Sequence, residues 1–209
     1  MKMISRSRQQ GTAIIEFALV APFLVLTFLG TVGIGISLGR SIHSVQFCRD
    51  VAHMYAGGLD FTKAGNQAIA IQLAQGSGMT ASGGNGVVIF SKIATVYQAD
   101  CDAAGVACTN LGVAVVTQRV VIGNAALRPS NFGTPTPALL DALGNISANV
   151  YLTNSDSSVQ ATGFTPLLTT AGMTQQQGDS AWVAESYFVY PALNFFFSSS
   201  PGVYTRFIF

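Results

Sequence analysis

From Phe17 to Gly39 the chain runs 23 residues without a charge, and the only side-chain hydroxyls are Thr27, Thr31 and Ser37. A helix of that length reaches about 34 Å at ~1.5 Å per residue, enough to cross a ~30 Å hydrocarbon core. Past Arg40 the pattern becomes one-sided. Ile42, Val45, Cys48, Val51 or Ala52, and Tyr55 recur at helical spacing, with Ser44, Gln46, Arg49 and Asp50 between them. Together these stretches predict one helix over 12–56 that leaves the membrane with a face to cover. Gly57-Gly58 ends it. Pro22 lies inside, removes one backbone hydrogen bond and predicts a kink. Gly33 with Ser37, and Gly35 with Gly39, give spacings that let helices approach closely, although glycine is also frequent in membrane helices generally.

Beyond the helix the periodicity shortens. Asp60 is placed to cap a second helix over 61–75, with Ile69 and Leu73 in its apolar stripe. Residues 76–86 form a Gly- and Ser-rich loop. Val87–Gln98 and Val113–Ile122 are rich in β-branched residues and predict two strands. Cys101 and Cys108 lie between them, as in an antiparallel hairpin with a pinned connection. The stretch 124–180 is rich in Pro, Gly, Ser, Thr and Asn and predicts only a short helix near 137–143. Trp182–Tyr190 reads as a third strand and Val203–Phe209 as a fourth, with the closing Phe-Ile-Phe packed. The expected fold is α+β, a long N-terminal helix on a small antiparallel sheet. No internal repeat is visible.

Charge sharpens this picture. Charged residues make up 9% of the chain, against ~25% in ordinary soluble domains. The net charge is +1, and from Arg40 onward seven Lys and Arg face eight Asp and Glu. That excludes nucleic acid as a main partner, since phosphate binding needs clustered cations. Lys2, Arg6 and Arg8 precede the apolar run, so the positive-inside rule expects a cytoplasmic N-terminus. A cleaved secretory signal would have a shorter apolar core and an A-x-A-like site, whereas Ser37-Leu-Gly-Arg-Ser-Ile has none. A plain signal anchor fits the length but leaves Glu16 unexplained. A carboxylate at the head of a membrane helix is costly and marks a functional site.

Candidate chemistry is sparse. Cys101 and Cys108 suit a short disulfide in an oxidising compartment; a metal pair is the alternative, but no His or second Cys pair accompanies them. Cys48 is left over and fits a helix face as a small apolar residue. His43 and His53 are ten apart on different helix faces, not at the i, i+4 spacing of a metal pair. The glycines of 76–86 lack the Lys-Ser/Thr of a phosphate loop. Asp100 and Asp102 read as solvated turn residues, and Glu185, alternating with apolar neighbours, is expected to face water. No catalytic constellation, metal site or cofactor site is expected.

Arg8-Gln-Gln-Gly11-Thr-Ala-Ile-Ile-Glu16-Phe17-Ala-Leu-Val-Ala-Pro22-Phe-Leu resembles the N-terminus of TadE-like proteins. These are pseudopilins, or minor pilins, of the tight-adherence (Tad) pilus, a type IV pilus-like machine. The resemblance covers roughly residues 8–40; beyond it only the layout agrees. It implies a basic leader over 1–11, removed by a prepilin peptidase cutting between Gly11 and Thr12. Thr12 would become the new N-terminus, with Glu16 five places into the mature chain. Glu16, Phe17 and Pro22 would belong to an assembly helix over 12–56, carrying a periplasmic or extracellular domain over 57–209. The implied partners are the prepilin peptidase, other pilin or pseudopilin subunits, the inner-membrane assembly platform and the lipid bilayer. The implied role is structural rather than enzymatic: assembly, initiation or tip adhesion. The chain would be a single-pass inner-membrane protein and then part of a surface pilus. Its outer region is longer than a major pilin of this system, which favours a minor subunit. The rival readings are a signal-anchored exported binding domain or enzyme, and a pilus assembly factor that stays in the membrane.

Overall fold

The computed structural model describes residues 7–153, 156–190 and 202–209. Lys2 and Arg6 of the expected leader lie outside the described residues, as do the side chains up to Thr12. The chain divides into two compact units that part between Ile42 and His43.

Helix α1 spans Ser7–Ala56, so helical backbone already includes Gly11 and Thr12. It continues through Pro22, whose ring nitrogen has no hydrogen to give the Ala18 carbonyl. Hydroxyls further along are satisfied locally: Thr27 donates to the Leu24 carbonyl at 3.0 Å and Thr31 to that of Phe28 at 2.8 Å. Such internal pairing is what a hydroxyl requires where water is absent.

The second unit is built on four strands, β1 (Gly86–Thr95), β2 (Ala114–Gly123), β3 (Ala181–Phe188) and β4 (Val203–Ile208). They pair antiparallel in the order β2-β1-β3-β4. The C-terminal part of α1 lies on one face. Phe47, Cys48, Val51 and Tyr55 pack against Val88, Phe90, Ile122, Ala184 and Phe188. Ring contacts fix the helix lengthwise, with Phe47 at 5.1 Å from Phe188 and Tyr55 at 4.8 Å from Trp182. The buried stripe is thus Ser44, Phe47, Cys48, Val51, Ala52 and Tyr55, rotated from the expected one; Ile42 and Val45 are exposed. Cys48 is fully buried, and its thiol contacts the Ala184 carbonyl oxygen at 3.5 Å.

Helix α2 is shorter than expected, Ala64–Leu73, and Asp60 does not cap it. The Asp60 carboxylate instead accepts from the Thr62 N–H at 2.9 Å and the Thr62 hydroxyl at 2.6 Å, a local turn that competes with capping. In the 76–86 loop, Met79 bridges Gly84. Gly84 has φ +81°, and a Cβ there would lie 2.1 Å from the Gly78 carbonyl oxygen, so only glycine fits.

The β1–β2 connection holds a short helix, α3 (Gln98–Ala104), where the sequence predicts a loop. Asp100 and Asp102 therefore stand on a helix. Asp100 accepts from the Tyr97 N–H at the helix start (2.8 Å), and Asp102 accepts from the Gln98 amide (2.8 Å).

The opposite face of the sheet is covered by 124–180. Its 3-10 turns Pro137–Leu139 and Ser157–Val159, and its helices α4 (Ala148–Thr153) and α5 (Phe164–Thr170), far exceed the single helix expected near 137–143. Phe132, Ile146, Val159 and Phe164 pack on Ile93, Val116 and Val183. The chain closes on the sheet as expected, with the Phe209 N–H and carbonyl paired to Trp182 at 2.9 and 2.8 Å.

Candidate functional site

The first candidate is the head of α1. Thr12 and Glu16 are four apart on a helix, hence on one face and separated by about 6 Å of axial rise. Glu16 and Pro22 are exposed, Phe17 is 69% exposed, and among the described residues nothing donates a hydrogen bond to Glu16. Fifteen large apolar side chains between Ile14 and Leu38 are exposed along the same helix. At about −0.3 to −0.6 kcal/mol each in a membrane-centred helix they total roughly −5 to −9 kcal/mol, against about +3 for an acidic group at the centre. The apolar residues win, so one carboxylate does not prevent insertion. A Cβ added at Gly30, Gly33, Gly35 or Gly39 would meet nothing within 4 Å. Packing among the described residues therefore gives no reason for these glycines.

The second candidate, Cys101 and Cys108, is a disulfide with Cα atoms 5.7 Å apart. Both sulfurs are consumed, so the metal alternative falls. The bridge sits with Val96, Val115 and Leu152 in a small apolar cluster. Beside it the N–H groups of Thr109 and Asn110 donate to the Leu152 carbonyl at 3.1 and 3.2 Å, and the Asn110 amide donates to that of Tyr151 at 2.7 Å. These hydrogen bonds join the hairpin connection to α4, and the bridge packs beside them.

Glu185 corrects an expectation. It is 2% exposed rather than facing water, because β3 is an inner strand with both faces covered. Its carboxylate accepts from the Ser130 hydroxyl, from the Asn131 N–H at 2.9 Å and from the Tyr204 hydroxyl at 2.7 Å. Burial pushes the Tyr204 hydroxyl above its ordinary range, and the hydrogen bond to Glu185 pushes it the same way. The Arg128 guanidinium carbon lies 4.2 Å from the Tyr204 ring centroid. Arg119, 6% exposed, donates to the Gly133 carbonyl at 2.9 Å. Burial pulls its pKa down to about 10 against the opposing pull of Glu185. Since Ser130 also accepts from the Phe132 N–H at 3.1 Å, its oxygen is engaged on both sides. This cluster clamps 128–133 onto β3 and β4. Nothing in the local sequence marks Ser130 or Tyr204 as its members.

The histidines do not converge. The His53 ring lies 4.3 Å from that of Phe209, and among the described residues no group of three His, Cys, Asp or Glu could hold a metal ion.

Residues 11–49 match the family model described as TadE-like protein. The segment is TadE-like. It takes in Gly11, Thr12, Glu16, Phe17 and Pro22 and ends inside α1. The TadE-like segment relates the chain to proteins of the Tad pilus and to pilus components in general. It also coincides with the one helix among the described residues that is long and apolar enough to cross a membrane. The disulfide, the sheet and the Glu185 clamp all lie outside the TadE-like match. No curated protein and no solved structure matches the chain.

Proposed function

We propose that this protein is a minor pilin, or pseudopilin, of a Tad-type pilus, with a structural rather than enzymatic role. The observation that carries the reading is the TadE-like match over 11–49, laid on an apolar helix whose only carboxylate before Asp50 is Glu16. A prepilin peptidase hydrolyses the Gly11–Thr12 bond, leaving a carboxylate on Gly11 and a free amine on Thr12. A free α-amino group titrates at about pH 7.7–8.0 and is mostly cationic at neutral pH. Away from water, an unpaired charge is strongly disfavoured. When helices pack into a staggered bundle, the Glu16 carboxylate of one subunit therefore pairs with the Thr12 amine of its neighbour. That pairing selects the axial register. Before assembly, Glu16 stands close enough to the cytoplasmic end of the span to reach the interface.

In this reading the N-terminus starts in the cytoplasm, the inner-membrane platform lifts the cleaved chain from the bilayer, and the unit from His43 onward stands outside. That unit takes part in initiation or in contact at the pilus tip. The test is Glu16→Ala in cells that make pili. Cleavage is expected to proceed as in the wild type, while the variant is lost from sheared pili. Normal incorporation of Glu16→Ala would refute the pairing. A wild-type chain that is cleaved yet absent from sheared pili would instead support a membrane-retained assembly factor.

A further inference from the structure

The two outer edges of the sheet are treated differently. Along β2, alternate backbone groups point away from β1, and the chain itself fills several of them. The Arg119 N–H donates to Gly144 at 2.7 Å, Thr117 accepts from Ile146 at 2.9 Å, and Ala114 accepts from Ala161 at 2.8 Å. Among the described residues the β4 edge has no such cover. Phe209 exchanges both backbone hydrogen bonds with Trp182. The alternation of an antiparallel ladder then turns Val203, Thr205 and Phe207 toward β3, and turns the N–H and C=O groups of Tyr204, Arg206 and Ile208 outward. Among the described residues none of these outward groups has a hydrogen-bond partner. Unpaired edges invite strand addition, and proteins normally blunt or cover them.

The surroundings select the guest. Arg206 is exposed on one side of the edge, its guanidinium 5.6 Å from the Phe132 ring centroid, with no ion pair among the described residues. On the other side Val45, Arg49 and His53 recur one helical turn apart, in a stripe that reaches β4 where His53 meets Phe209. Glu185, the carboxylate of the neighbouring strand, is buried and already accepts from three donors. Arg49 is ion-paired with Asp50 at 3.8 Å, so the cation this edge offers without an ion pair among the described residues is Arg206.

A second copy fits poorly. α1 runs from Phe47 beside Phe188 to Tyr55 beside Trp182, so its direction is that of β4. Antiparallel pairing of two β4 edges centred on Arg206 would set that cation opposite its own copy. Parallel pairing about a two-fold axis would set Arg206 beside its own copy, and like charges at that spacing repel.

We infer that the β4 edge is a docking site for an extended strand of another protein, one that places an acidic side chain opposite Arg206. Main-chain hydrogen bonds to Tyr204, Arg206 and Ile208 supply the attachment, and the carboxylate sets the register. The inference rests on the folded unit from His43 onward and not on Gly11 to Glu16. Its failure leaves the pilin reading standing, and the reverse holds too.

The test uses the full chain in nanodiscs and a capped peptide, Thr-Val-Thr-Glu-Thr-Val-Thr, with a Lys-for-Glu counterpart. Residue-resolved amide hydrogen exchange is the readout. The Glu peptide is expected to slow the amides of Tyr204, Arg206 and Ile208 by about tenfold or more, with no such effect from the Lys peptide. Arg206→Pro removes the outward N–H at a place where an edge strand tolerates proline, and should abolish the protection while the β3 amides keep their wild-type rates. Unchanged exchange with the Glu peptide, equal protection by both peptides, or protection that survives in Arg206→Pro would each overturn the inference. So would protection of the three amides in the chain alone that rises with its concentration, since a second copy would then hold the edge.

Discussion

Two glutamates in apolar settings meet opposite fates. Glu185 is enclosed and accepts from Ser130, Asn131 and Tyr204, whereas Glu16 has no donor among the described residues and stands exposed on α1. Glu185 is satisfied inside its own chain; in the pilin reading Glu16 takes its partner from a neighbouring subunit. Removing Glu185 strands three donors, and an unsatisfied buried donor costs about 1–3 kcal/mol. Glu185→Ala is therefore expected to lower the unfolding free energy of the full chain in detergent by about 3 kcal/mol or more, measured by denaturant titration; a loss below ~0.5 kcal/mol would contradict the clamp. Tyr204 adds a pH dependence. Its folded pKa is raised above the ordinary value of 10, so the stability it contributes is fully present below pH 10 and is lost as pH rises through the folded value. Tyr204→Phe should be less stable than the wild type at pH 7, and the gap should narrow above pH 10. A constant gap across that range would show that Tyr204 does not titrate with unfolding. At this scale the sequence misleads where strand alternation is taken to mean water. Glu185 does alternate with apolar residues, but β3 is flanked by two strands and covered on both faces, a fact carried by distant segments.

Elements are more legible than residues where periodicity is long and uniform. All four strands and α1 follow from β-branched runs and from an apolar stretch with a one-sided tail. The helical stripe lies where the periodicity puts it along the chain, but rotated: Phe47 is buried and Val45 exposed, because the large rings of Tyr55, Phe90 and Phe188 set the contact line. Asp60 has the position and chemistry of a cap, yet its carboxylate is taken by Thr62 two residues on. The layer over 124–180 is hidden from periodicity because its helices are only 6 and 7 residues long. Such elements do not hold themselves together and are stabilised by packing on the sheet rather than by propensity. The disulfide stiffens the β1–β2 connection on which α4 of that layer packs. For a loop closed by residues 7 apart, restricting the unfolded chain gives about 2.5 kcal/mol of stabilisation. Replacing both cysteines by serine should cost roughly that much. Amide exchange should rise first in 97–113 and in α4, while β1 and β3 keep their protection. Loss of protection across the whole sheet at the same rate would contradict a local role.

At the scale of the molecule, two features stay open. The apolar surface of α1 between Ile14 and Leu38 is uncovered, and the glycines along it pack against nothing among the described residues. In the pilin reading, the membrane and then neighbouring helices cover both, which would also explain the low overall charge. The candidate site at Gly11 to Glu16 is legible in sequence because its logic is linear: basic leader, glycine, four residues, carboxylate, apolar run. The β4 edge is not, since an unpaired edge is a property of strand order and strand order is set by long-range pairing. The most direct test of the pilin reading is the N-terminal residue of the protein isolated from membranes of cells with an active prepilin peptidase, read by mass spectrometry. A chain beginning at Thr12 is the predicted result. A chain that still begins at Met1 would contradict it.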